Sequence, residues 1–221
     1  MSADRFHLIV TCLLRGGFIN RTANPELFDY LEEPANVDDI NDFLGRLGLR
    51  ALRTGSDETW FAALRRLDDT NRSAARETAV QAKRELRHWV GFLKLTMAAL
   101  NEPAPAAGAL LHAHRLSQAV HENLNLQETL RTLCQRLRST ADASLQKMLE
   151  SVINWAVRPE QGLLELIDED KGIYRLTGKV DWVLDMILAI DESLERQASS
   201  APRSAAGFPV PPSLPPDAPD A

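Results

Sequence analysis

The chain has 221 residues, 44% of them hydrophobic and 6% aromatic, with a formal net charge of -6 and a pI near 5.4. That length accommodates one large or two small domains with real cores. The acidic balance speaks against a protein that grips nucleic acid by itself through broad electrostatics, and it confines any DNA contact to a local patch or to one shared with a partner.

Residues 4–15 place Phe6, Leu8, Ile9, Leu13 and Leu14 in a helical pattern that Gly16-Gly17 ends. The apolar stretch from Phe6 to Leu14 is too short to span a bilayer and follows no basic segment, so the chain is expected to be soluble and cytoplasmic. Phe18-Ile19 has the character of a very short strand. Asn24 followed by Pro25 predicts the start of a second helix with Leu27, Phe28 and Leu31 inward, ended by Pro34. Asn36 is then the expected cap of a third helix with Val37, Ile40, Phe43, Leu44 and Leu47 inward. RALRT, a GSDE turn and TWFAAL predict a hairpin. Helix, helix, helix, hairpin is the outline of a winged helix, here over residues 1–66.

A long amphipathic helix is predicted within 67–102, from about Asn71 to Leu100. Ala75, Ala79, Ala82, Leu86, Trp89, Val90, Leu93, Met97 and Leu100 recur in steps of three and four, with one adjacent pair at Trp89-Val90. Glu102-Pro103-Ala104-Pro105 breaks it. The second half, 106–196, repeats the outline with helices at about 108–122, 125–138 and 141–157, a hairpin at 163–177 and a final helix at 179–196. The expected fold class is therefore mainly α with small β-hairpins (α+β): tandem winged-helix domains joined by a long helix. The two halves share this outline but no visible sequence repeat. Seven of the chain's 12 prolines fall between Pro202 and Pro219, and the Pro/Ala/Ser-rich segment 197–221 reads as a disordered tail.

The motifs of catalysis are missing. Gly16-Gly17 lacks the further glycines and the preceding strand of a phosphate loop, and no HExxH occurs. His112, His114 and His121 are spread too far along a helix for a compact metal site, since i+7 spans about 10 Å of helical rise. Cys12 and Cys134 each sit on an apolar helical face, which reads as buried free thiols in a reducing compartment rather than a disulfide framework. Asp38-Asp39 and Asp68-Asp69 fit helix N-terminal turns better than a carboxylate dyad. No enzyme, metal or cofactor is indicated.

Charge then separates this chain from a DNA reader. A recognition helix presents Arg, Lys, Asn or Gln to the major groove, whereas the third helix here carries Asp38, Asp39 and Asp42 against Arg46. Its counterpart offers Lys147 against Asp142 and Glu150, and the second wing carries Asp168, Glu169 and Asp170. Positive charge collects elsewhere. Arg72, Arg76, Lys83, Arg87 and Lys94 fall within roughly 60° of one another on the long helix, and Arg50, Arg53, Arg65 and Arg66 are placed to extend that stripe. It reads either as a solvated face or as a surface for phosphates. The last helix, with Val180, Trp182, Val183, Leu184, Met186, Ile187, Leu188 and Ile190, is apolar on more than one side. Trp182, Met186 and Ile190 are the candidates for a partner interface, beside an acidic strip of Asp181, Asp185, Glu192 and Glu195.

The opening helix with LLRGGFI at its end, NPELFDYLEE, TWFAAL and the closing IYRLTGKVDWVLDMILAIDESL together resemble the MksE and MukE-like subunits of bacterial condensins, the KITE proteins. The resemblance covers residues 1–196. It implies a non-catalytic homodimer that clasps a kleisin subunit, bridges the heads of an SMC ATPase through it, and helps hold DNA within the complex, with a nucleoid-associated location. Its task would be chromosome organisation and segregation, or plasmid defence. The alternative from another class is a stand-alone winged-helix transcriptional regulator that binds specific DNA; the acidic third helices oppose it.

Overall fold

The computed structural model describes residues 2–139 and 143–200. Its first half runs α1 (Ser2–Leu14), β1 (Ile19–Asn20), α2 (Pro25–Glu32), α3 (Pro34–Gly45), β2 (Leu49–Arg53) and β3 (Thr59–Leu64). Gly16 at φ 72° turns the chain out of α1. The three strands form an antiparallel sheet in the order β1-β3-β2, with Ile19 opposite Trp60 and Ala51 opposite Ala62. Ile9, Leu13, Phe28, Leu31, Ile40 and Leu44 fill the core between helices and sheet.

Several local expectations shift here. Pro34 does not only stop α2; it opens α3 at the first helical position, where its missing N–H costs nothing. Asn36 consequently lies inside α3 and donates its side-chain amide to the Tyr30 carbonyl at 2.9 Å. The early end of α3 leaves Leu47 outside the helix and 56% exposed. Phe43 stays 37% exposed, edge-on to Phe6. Asp38 and Asp39 belong to the second turn of α3 rather than its first, and both point to solvent.

The long helix α4 (Arg72–Leu100) ends at Asn101, which takes the left-handed conformation. Beyond it come β4 (Leu110–His112), α5 (Ala113–Glu122), α6 (Leu124–Arg136), α7 (Leu145–Val157), β5 (Leu164–Asp168), β6 (Ile173–Leu176) and α8 (Gly178–Ser200). The helix predicted from 108 is thus a strand followed by a shorter helix. Leu111 pairs with Tyr174 and His112 with Ile173, giving a second antiparallel sheet in the order β4-β6-β5. In each sheet the first strand lies against the third. Asn123 and Ser144 cap α6 and α7 by accepting hydrogen bonds from backbone N–H groups. Residues 140–142, with Asp142 and the expected start of α7, lie outside the described residues.

The second core is larger and takes in half of α4. Trp89, Phe92, Leu93 and Leu95 pack with Leu116, Leu130, Val152, Leu176 and Val180. Burial of Phe92 and Leu95 breaks the single-face pattern, because α4 is covered on several sides toward its C-terminus. The chain divides into two compact units, Met1–Ile187 and Leu188–Ala221. In the second unit α8 stays helical to Ser200, beyond the expected end at 196, and residues 201–221 lie outside the described residues. The described secondary structure is α+β: helices with two small antiparallel sheets.

Candidate functional site

Three surfaces of the first unit carry the residues of interest. The first is the outer face of α4. Arg72, Arg76, Lys83, Arg87 and Lys94 are all exposed. Arg72 pairs with Asp69 at 3.2 Å, but with both side chains in water that pair contributes little. Arg65 and Arg66 are exposed in the loop that leads into α4, where Asp68 accepts from the backbone and hydroxyl of Thr70. Those bonds hold the Asp68 carboxyl below its ordinary value.

The hairpin arginines are placed differently. Arg50 and Arg65 line a cleft with Asp38, Asn41 and Asp42 of α3, so their charge faces carboxylates. Arg53 is half-buried, forms an ion pair with Glu32 and stacks over Trp60 with its guanidinium carbon 4.5 Å from the ring centroid. Its charge is engaged inside the first half rather than offered outward.

The second surface is a groove of about 870 Å³ along the N-terminal part of α4. Trp89 and Trp182 meet edge to face at 5.8 Å beside it, and Trp182 also touches Phe18 at 6.2 Å. Trp89 donates its indole N–H to Gln161 at 3.1 Å. Lys179 lies over the Trp89 ring at 5.4 Å and donates to the Glu160 carbonyl at 3.0 Å. Burial pushes the Lys179 ammonium below its ordinary pKa, while Glu85 pulls it back up. Of the residues singled out as a partner interface, Trp182 and Met186 are half-buried against their own core, and Ile190 is 37% exposed.

The third surface is the β5–β6 hairpin. Asp168 pairs with Lys171 at 2.9 Å and also accepts from the Lys171 backbone N–H, which lowers its pKa. Glu169 and Asp170 project into solvent. A register shift between Leu166 and Asp168 leaves both Leu166 and Ile167 more than 40% exposed.

Sequence reasoning missed two features. Asp181, read as part of an acidic strip along the last helix, is 6% exposed. It accepts hydrogen bonds from Thr59 Oγ1 at 2.7 Å, Ser56 Oγ at 3.3 Å and the Ala107 backbone at 3.0 Å. Asp185 accepts from the Gly55 backbone at 2.7 Å. The β2–β3 turn is thereby fastened to α8. The second feature is Arg136, which donates to the Arg87 carbonyl at 3.5 Å and sets another exposed cation beside the α4 stripe. Its only sequence signal is a basic residue in the last turn of a helix.

Among the described residues no group of three or more His, Cys, Asp or Glu side chains is arranged to hold a metal ion. His112 and His114 touch edge to face at 5.3 Å, and His121 is bonded back to the Ser117 carbonyl. Cys134 is buried and Cys12 half-buried, both are free thiols, and burial pushes both up in pKa. A raised pKa leaves little thiolate and opposes a nucleophilic role. No described helix is long and apolar enough to cross a membrane.

Comparison with known proteins gives one clear result. A family model described as condensin complex protein MksE matches residues 4–187. A search of curated proteins finds no match.

Proposed function

The chain belongs to the MksE family of condensin complex proteins, and from that premise we propose that it is a non-catalytic, homodimeric subunit that binds the kleisin of a bacterial SMC complex and helps hold DNA at the SMC heads. The family match carries this reading, because its range, residues 4–187, takes in both halves and ends within α8. Each half is read as a winged helix. The first half has the element order helix, strand, two helices, hairpin, and both sheets order their strands first-third-second. Exposed apolar side chains on the first half, among them Leu8, Phe43, Leu47 and Leu64, supply surface for self-association. The exposed face of α4 supplies phosphate contacts, modest in number and therefore useful inside a complex that already encloses DNA. The protein works in the cytoplasm, on chromosomal or plasmid DNA.

Light scattering on a gel-filtration column tests the assembly: a dimer that joins its kleisin and SMC partners is the expected outcome. A strict monomer that joins neither overturns it. Reversing Arg72, Arg76 and Lys83 to Glu together should leave assembly intact. It should reduce the salt dependence of DNA binding by the whole complex, with the slope falling by about 0.9 for each phosphate that is no longer neutralised. Selective capture of one duplex sequence by the purified chain would instead support a transcriptional regulator.

A further inference from the structure

Between α4 and α6 lies a groove of about 340 Å³. Leu86, Val90 and Leu133 contribute its apolar lining, and Arg87, Lys94 and Arg136 its cations. Leu133 is buried and Leu86 and Val90 are half-buried, whereas the three cations are exposed. The bond from Arg136 to the Arg87 carbonyl places the cation of one helix against the other across this apolar strip. Glu128 shares the lining, and Arg131 holds its exposed carboxylate loosely at 4.0 Å. Three cations against one carboxylate leave the rim positive.

DNA phosphates account for the cations but not for the apolar floor, since a duplex backbone presents charge and no hydrophobic ridge. An amphipathic helix accounts for both. Its apolar side chains at i, i+3/i+4 and i+7 enter such a groove while its flanks meet the rim. A positive rim selects acidic flanks, and like charges would be rejected. We propose that the α4–α6 groove receives an acidic amphipathic helix of a partner polypeptide. This site deepens the polypeptide-binding reading above and rests on it.

The test uses the full chain and three fluorescein-labelled probes. They are a peptide with Leu at helical three-four spacing between Glu flanks, the same peptide with every Leu changed to Ser, and a duplex DNA. Anisotropy should show binding of the first peptide and at least about tenfold weaker binding of the second. Val90→Asp removes apolar floor and Arg136→Glu inverts the rim. Each should weaken the first peptide by about tenfold or more, with far-UV circular dichroism unchanged. If Val90→Asp fails to fold, Arg136→Glu, at an exposed position, decides alone. No binding of the first peptide, equal binding of the two peptides, or insensitivity to both variants overturns the proposal. A drop in DNA binding by Val90→Asp as large as its drop in peptide binding assigns the groove to nucleic acid and overturns it too. Failure to assemble with kleisin and SMC subunits would overturn the wider reading. Normal assembly with a negative peptide result overturns the groove alone.

Discussion

Asp181 is a carboxylate buried among neutral donors. Thr59, Ser56 and the Ala107 N–H supply its hydrogen bonds, and Thr59 in turn accepts from the buried side chain of Asn20 at 3.0 Å. A buried polar network of this kind stabilises only while every member is satisfied. Asp181→Ala strands the Thr59 hydroxyl and the Ala107 N–H together, so it should destabilise the chain by about 3 kcal/mol in urea unfolding. Asp181→Asn keeps one acceptor oxygen and should cost roughly half as much. The sequence around it, GKVDWVLD, offers no hint of this burial. A carboxylate one turn into a helix ordinarily sits in water near the positive end of the dipole, and the donors lie far away in the chain.

At the scale of the element, α4 is two helices in one. Up to Arg84 its side chains are largely solvated, and from Trp89 onward they enter the second core. Phe92→Ala should therefore cost about 3–5 kcal/mol by cavity formation. Lys83→Ala, on the exposed turns of the same helix, should stay within about 0.5 kcal/mol; thermal melts of both variants check the contrast. The periodicity of α4 was legible because it persists for many turns. The change from amphipathic to buried was not, since it depends on α5 and α6 closing over the far side. β4 escaped notice for a related reason. LLH is three residues long, shows no period, and is a strand because the edge of β6 stands ready to pair with it. Pro34 was legible as a breaker but not as an opener, because one residue type serves both ends of a helix.

At the scale of the whole molecule, the two halves meet through close backbone approach as well as hydrogen bonds. A Cβ on Gly178 would collide with Thr59 Cγ2 and lie 2.9 Å from Phe18 Cβ. One on Gly108, where φ is +88°, would lie 2.5 Å from Thr22 Cβ. Such close packing leaves no room for slippage between the halves. Calorimetry should accordingly record one cooperative transition for residues 1–187. Replacing both Asp181 and Asp185 by Ala should split it into two, as each half keeps its own core but loses the shared network.

Most helix positions, the hairpin turns, the acidic third helix and the cation stripe of α4 followed from the sequence, because each depends on spacing along a short stretch of chain. Which of those charges stay free did not. Arg53 is taken by Glu32 and the Trp60 ring, Arg50 and Arg65 face the carboxylates of α3, and Asp181 disappears into a junction. Arg136 joins Arg87 and Lys94 around an apolar strip. Local pattern sets which faces are polar or apolar, but the neighbour of each face is chosen by contacts between residues distant in the chain, and only the folded arrangement brings those together.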